Sequence, residues 1–321
     1  MLLAVLVGAF GAFGVIRAAN ERSSEVDRID GLDEVLTVDT DGPAVNYLLI
    51  GSDSREGADP NSPDFANIGD TDVVQGRRSD TIMILRQERD GNGASLVSIP
   101  RDLWVEIAGR GSSSRINSAY NDGADVLAAT ISQELGIPIH HVIDIDFFGF
   151  KELVDAIGGT TVCFEYETRD TNSGLHQDPG CNVLDGEQAL AYARSRHYEE
   201  WKDGAWQEDP TADLGRIDRQ QQFIKATVDT TLQKVAADPF LTSELLDAAV
   251  GTVRLDPALD PIQAAATLRK AFGTGLNTYQ IPVEGTTISG NAVLLLDDAA
   301  EPILAYFRGE APTPPTTVAE G

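Results

Sequence analysis

The sequence predicts an α/β protein with a central mixed sheet covered by helices on both faces. Short apolar runs closed by turn residues alternate with longer stretches of helical spacing, as expected for strands interleaved with helices. No Pro/Gly/Ser linker divides residues 45–308, so that span is expected to be a single domain. With 321 residues, 42% hydrophobic and 23% charged, the chain has the composition of a folded globular protein.

Taken in order, Met1 to Ile16 is almost wholly apolar and ends at Arg17. The run is slightly shorter than the roughly 20 residues that span a bilayer, and no basic residue precedes it as in a signal peptide. Residues 1–19 are read as a membrane anchor whose first residues are missing; an atypical or uncleaved signal peptide is the other reading. Both put the body of the protein outside the cytoplasm. Residues 20–44 are polar, acidic and unpatterned, and are expected to be a spacer. Strands are expected at Tyr47–Ile50, Thr81–Leu85, Ser95–Ile99, Val142–Ile145, Thr160–Phe164 and Tyr279–Ile281. Helical spacing marks Ala124–Leu135, Phe147–Ile157, Gly186–Ala193, Ile217–Val235, Ser243–Val253 and Pro261–Phe272. The tail, residues 309–321, has no periodicity and is expected to be disordered.

Fifty-one acidic residues against twenty-four basic ones give a formal charge of -27. Such a surface repels a nucleic-acid backbone, and no basic recognition helix is visible. Generic DNA binding is thereby excluded. Two Cys exclude a disulfide-dense scaffold and a four-thiolate zinc site. There is no Walker A loop, no H-E-x-x-H, no G-x-S-x-G and no dinucleotide fingerprint. Nineteen of the basic residues are Arg, the planar, bidentate binder of phosphate.

Many of these Arg stand with Asp at strand ends and helix starts. Gly51-Ser52-Asp53-Ser54-Arg55 follows the first strand and Arg77-Arg78-Ser79-Asp80 precedes the second. Pro100-Arg101-Asp102 ends the third, Arg115-Ile116-Asn117 follows a Gly/Ser loop, and Arg194-Ser195-Arg196 closes a helix. Asp213 opens a long helix on which Arg216, Arg219 and Gln220 share a face at i, i+3 and i+4. Ligands of open α/β sheets bind in the crevice at strand ends, where these loops are expected to meet. Several Arg in one crevice call for a polyanion, and Asp53 with Asp80 suits Mg²⁺. The plainer readings are surface ion pairs for the Arg–Asp neighbours, an N-cap for Asp213 and a solvated helix position for Gln220.

L-L-I-G-S-D-S-R, R-R-S-D-T-I-M-I-L, S-I-P-R-D, R-I-N-S-A-Y, D-F-F-G-F-x-x-L-V-D-A-I-G-G, L-D-G-E-Q-A-L-A-Y-A-R-S-R and D-L-G-R-I-D-R-Q-Q-Q-F occur in this order. Over residues 46–235 the chain resembles the LytR–CpsA–Psr family, and the branch from high-GC Gram-positive bacteria in particular. The resemblance implies a membrane-anchored extracytoplasmic phosphotransferase with an α/β sandwich and a long apolar pocket. Such an enzyme moves a glycopolymer from a polyprenyl-pyrophosphate carrier to peptidoglycan, with prenyl-diphosphate hydrolysis as a side activity. Carried over by motif, Asp53 and Asp80 resemble the Mg²⁺-associated carboxylates. Arg78, Arg101, Arg194, Arg196 and Gln220 resemble the pyrophosphate contacts, and Arg216 and Arg219 are their neighbours. Arg115 stands where many members have Lys. Asp213 resembles a functionally important acid, and the choice between Asp80 and Asp213 as proton acceptor stays open. The segment His197–Ala212 is longer than in compact members.

A non-catalytic binder of polyprenyl phospholipids is the alternative reading. Pocket candidates are Ile84, Val97, Phe147, Phe150, Leu153, Val154, Ile157 and Phe223, each of which reads equally well as ordinary core. Cys163 and Cys181 are expected to pair, because an extracytoplasmic compartment permits oxidation.

Overall fold

A computed structural model describes residues 25–38, 42–52, 79–89, 93–211, 213–237, 248, 253–260 and 275–312. The expected anchor, the helix at Pro261–Phe272 and most of the helix at Ser243–Val253 lie outside these residues. Strands run in chain order as β1 (Asp27–Arg28), β2 (Ala44–Ser52), β3 (Ser79–Glu88), β4 (Ala94–Ser98), β5 (Trp104–Ile107) and β6 (Ser112–Arg115). Helix α1 (Ala124–Glu134) leads to β7 (His141–Asp146), and α2 (Phe147–Ala156) to β8 (Thr160–Phe164). Three short strands follow, β9 (Thr168–Asp170), β10 (Leu175–Gln177) and β11 (Gly180–Leu184), and then α3 (Gly186–Arg194). β12 (Glu199–Lys202) and β13 (Ala205–Glu208) precede the long α4 (Asp213–Ala237). The chain ends with β14 (Val253–Leu255), β15 (Leu276–Gln280), β16 (Val283–Ile288), β17 (Asn291–Leu296) and α5 (Glu301–Arg308).

The chain divides into two compact units. The sheet unit comprises Arg28–Phe147, Leu255–Leu259 and Leu268–Gly321. Its framework is a mixed sheet in the order β1-β14-β7-β2-β3-β4-β15. β3 lies antiparallel to β2 and β4, while β7 runs parallel to β2 and β15 parallel to β4. Leu48, Ile84, Val97 and Val142 are fully buried in its core. Continuous apolar runs are what strands buried on both faces require. Gly51 is needed where β2 meets β3, because a Cβ there would lie 2.9 Å from Thr81 Cβ.

Part of the expected spacer is folded. Ile29 and Leu32 are buried in the sheet-unit core, and Thr37 N–H donates to the Ile139 carbonyl at 2.7 Å. These isolated apolar residues carry no periodicity, so their burial was not legible. Helix α5 was likewise absent from the sequence reading. It buries Ile303, Leu304, Tyr306 and Phe307, and ends on left-handed Gly309. Glu310 and Ala311 N–H both donate to the Ala305 carbonyl, so the start of the expected tail is ordered.

The hairpin unit comprises Met1–Asp27, Phe148–Arg254 and Asp260–Thr267. Its described sheets are β10-β9-β12-β13, with every neighbour antiparallel, and the pair β11-β8. Helix α3 begins at Asp185, whose carboxylate accepts from Gln188 N–H at 2.9 Å while Gln188 Oε1 accepts from Asp185 N–H. This reciprocal cap explains L-D-G-E-Q as a helix start. Leu184, Tyr192 and Phe223 pack with Val154 and Phe164, and Phe150 leans on Phe223 with ring centroids 5.5 Å apart. Phe150, Val154 and Phe223 therefore belong to this unit's core, and Ile84 and Val97 to the other's.

Candidate functional site

In the sheet unit, the turn after β4 carries Arg101 and Asp102. Leu103 N–H donates to the Pro100 carbonyl, while Asn117 N–H donates to the Arg101 carbonyl at 3.1 Å and Ile116 N–H to the Leu103 carbonyl at 2.8 Å. Leu103 and Ile116 are fully buried, so S-I-P-R-D and R-I-N read as one clasped turn with its charged residues outward. Arg101 Nη1 donates to Asp80 Oδ1 at 2.5 Å, and its Nε lies 3.7 Å from Asp102. Arg115 Nε lies 3.4 Å from the other Asp102 oxygen, and its Nη2 donates to the Ala292 carbonyl at 2.8 Å. Asp80, Arg101, Asp102 and Arg115 thus form an alternating chain of charge. Arg101 and Asp80 side chains are 18% and 23% exposed, which leaves the pair reachable by a ligand. Asp53 and Arg78, with Arg55 and Arg77, lie outside the described residues.

In the hairpin unit, α3 ends at Arg194 and Ser195 is extended (φ -62, ψ 124). An extended Ser195 sets Arg194 and Arg196 at the spacing of two that shares a face. Sequence reasoning missed what holds this turn. The buried Asp170 accepts through Oδ2 from Ser195 Oγ (2.8 Å) and from the amides of Arg196 and His197 (both 2.9 Å). Its Oδ1 accepts from the Asn172 and Ser173 amides. Burial pushes this carboxyl upward, but the Ser195 hydroxyl and the amides outweigh it and hold its pKa below the ordinary value. An Asp ahead of Thr-Asn-Ser-Gly signals only a local turn; nothing in the sequence ties it to Ser195.

Helix α4 closes the same turn. Arg219 Nη2 donates to the Ser195 carbonyl and Nη1 to Asp209, both at 2.8 Å, and the guanidinium stacks 4.4 Å above Tyr198. Gln220 Nε2 donates to the Ala193 carbonyl at 2.9 Å. These donors satisfy carbonyls at the C-terminus of α3, which helices otherwise leave open. The shared face of Arg216, Arg219 and Gln220 is therefore turned inward, with all three buried. Arg219 Nη1 and Nη2 and Gln220 Nε2 thereby hold Arg194–Arg196 in place. Asp213 is the first residue of α4.

The model of the LytR_cpsA_psr family matches residues 13–303. The chain belongs to this family. Among curated relatives of this LytR_cpsA_psr protein, "Probable cell wall biosynthesis protein LcpB" of Corynebacterium glutamicum is 30% identical over 89% of the chain. "Polyisoprenyl-teichoic acid--peptidoglycan teichoic acid transferase TagU" of Halalkalibacterium halodurans is 32% identical over 88%. The chain spans 66% of the length of the first relative and 83% of the second. The fold matches that of the LytR-Csp2A-Psr enzyme from Actinomyces oris with a TM-score of 0.65 at 23% identity, over 88% of this chain and 94% of that one. It also matches B. subtilis TagT with a TM-score of 0.61 at 19% identity, over 89% and 99%.

One further expectation for this family member is met by the geometry. Cys163 and Cys181 face each other across the β8–β11 ladder and are joined by a disulfide. The long segment after Arg196 is a β-hairpin, in which Asp203 and Gly204 both have positive φ and form the tight turn between β12 and β13.

Proposed function

We propose that this chain transfers a phosphoglycan from a polyprenyl-pyrophosphate carrier to a peptidoglycan hydroxyl. The observation that carries the reading is the Asp80–Arg101–Asp102–Arg115 charge chain, set on a rigid turn in a chain of this family. Carboxylates fix the orientation of each guanidinium before a diphosphate arrives. The names of the relatives supply the substrate class.

In this reaction the acceptor oxygen forms a bond to the glycan-side phosphorus, and the bond to the bridging oxygen breaks. Polyprenyl phosphate leaves, and a carboxylate takes the hydroxyl proton, with Asp80 and Asp213 both assigned as candidates. Arg101 and Arg115 would bind diphosphate oxygens. Asp80 fits Mg²⁺: it is a partly exposed carboxylate at a strand mouth, and Mg²⁺ takes one or two carboxylates plus phosphate oxygens and water. When bound, the ion neutralises charge on the leaving phosphate. Asp53 is its expected second ligand. With water as acceptor, the same site would hydrolyse prenyl diphosphates. The Cys163–Cys181 disulfide supports a location outside the cytoplasm.

The test is Arg101→Ala, assayed with a lipid-linked phosphoglycan and peptidoglycan. Loss of an aimed donor at the transferring group is expected to cost about 10²–10³-fold in rate, with thermal unfolding unchanged. A folded variant of full activity would remove the assignment.

A further inference from the structure

The hairpin unit carries an exposed face that the phosphate chemistry does not use. In the sheet β10-β9-β12-β13, Trp201 pairs with Trp206, Glu199 with Glu208, and Arg169 with Glu199. Cross-strand partners and residues two apart share a face, so these five side chains lie together. The opposite face of β9 and β10 holds Thr168, Asp170, Leu175 and Gln177, all buried.

Trp201 is 42% exposed, and its ring meets Trp206 edge-on with centroids 5.4 Å apart. Arg169 stacks 4.0 Å over Trp206 and is itself held by Glu199 at 2.7 Å. Trp206 is therefore held in place before any ligand arrives, and Trp201 rests edge-on against it. Around it stand acceptors, Glu199 and Glu208, and donors, Arg169 and His197, the last bonded to Glu208 at 2.7 Å.

We propose that this face binds the glycan strand of the acceptor, a neutral, uncharged-ring oligosaccharide of the N-acetylhexosamine type. The inference rests on the transferase reading and names its acceptor subsite. A pyranose ring presents electropositive C–H groups to the negative face of an indole, while its hydroxyls need donors and acceptors in the surrounding plane. Both are present here. A polyanionic glycan is disfavoured by Glu199, Glu208 and the net charge of -27. An anionic membrane surface needs Lys and Arg around its Trp rather than carboxylates. A protein partner needs on the order of 800 Å² on each side, whereas one exposed indole and part of a second match a sugar ring. The face is also continuous in sequence with the phosphate arginines. Asp170 Oδ2 binds the amides of Arg196 and His197 together, so the platform begins one residue after Arg196.

The test is calorimetric titration of the full chain with a β-1,4-linked N-acetylglucosamine tetramer. Saturable binding is expected. Trp201→Ala should weaken it by roughly tenfold, the scale of one aromatic contact, and Trp201→Phe should retain most of it. Trp201→Thr keeps a β-branched residue in the strand and serves if the alanine variant misfolds. Binding of a prenyl diphosphate should be the same in all of them. Absence of saturable glycan binding, equal binding by folded Trp201 variants, or Trp201-dependent binding to phosphatidylglycerol vesicles instead of glycan would overturn the proposal. Because the titration reads binding alone, it stands if the wild type shows no transfer; that result would remove the enzyme reading and leave the glycan face.

Discussion

At the scale of single residues, burial decides which charged groups are available for chemistry and which hold the fold. Arg101 and Arg219 look alike in the sequence, each beside an Asp. The first is partly exposed on a clasped turn; the second is buried, with its donors on Asp209 and the Ser195 carbonyl. Spacing placed both on the correct elements but could not say which face of α4 turns inward. His140 shows burial acting on a titration. Its Nδ1 accepts from Asn46 N–H at 3.0 Å, which requires the neutral ring. Burial, then the neighbouring His141 and Arg89, pull its pKa from 6.5 down to about 4. A depressed folded pKa means stability that is complete above pH 6.5 and is lost as the pH falls through that window towards 4. Asp170 and Asp209, both held below the usual 3.8, add their losses only at lower pH. Thermal melts from pH 7 to pH 4 should therefore show a falling midpoint that His140→Gln flattens. An unchanged slope in that variant would assign the loss to other groups.

At the scale of elements, strands were legible where they run through the sheet centre. Tyr47–Ile50 is wholly apolar, Thr81–Leu85 is apolar after its first residue, and Val142–Ile145 is interrupted only by the buried Asp144; all three are central strands. The hairpins were not legible. β6 is Ser-Ser-Ser-Arg, β12 is Glu-Glu-Trp-Lys and β13 is Ala-Trp-Gln-Glu, so none of the three carries an apolar run or a regular apolar alternation. Val253, expected as the end of a helix, is instead the first residue of β14. The disulfide belongs to this scale. It joins β8 to β11 ahead of α3, closing a loop of sequence separation 18. In the chain-entropy model, a loop of about this length is worth roughly 3 kcal/mol. Cys163→Ser is expected to lower the denaturation midpoint accordingly and to reduce transfer far less than Arg101→Ala. Thiol titration of the denatured, unreduced wild type should find no free thiol, with two appearing after reductant.

At the scale of the whole molecule, the sheet unit is assembled from segments far apart in the chain. Buried Asn46 in β2 donates through Nδ2 to the Pro138 and Phe307 carbonyls, both at 2.9 Å. Tyr306 hydrogen-bonds Glu88 and Ser95, and Arg86 stacks 4.5 Å over its ring. Ile303, Leu304, Tyr306 and Phe307, at about 1.5–3 kcal/mol each when buried, together match the roughly 5–15 kcal/mol that holds a typical domain. A chain ending at Leu296 should lose cooperative unfolding of the sheet unit in denaturant titrations; a sharp transition like that of the full chain would show α5 to be dispensable. The order of synthesis adds a consequence. Most of the described hairpin unit lies between Phe148 and Arg254, a stretch made before β15 and α5 exist. That unit has all its described strands, and both cysteines, while the sheet unit still lacks its edge strand and the helix that seals Asn46. During biogenesis the middle of the chain is thus ready to fold first, and its beginning must wait, with its strands open to misjoining, for its end.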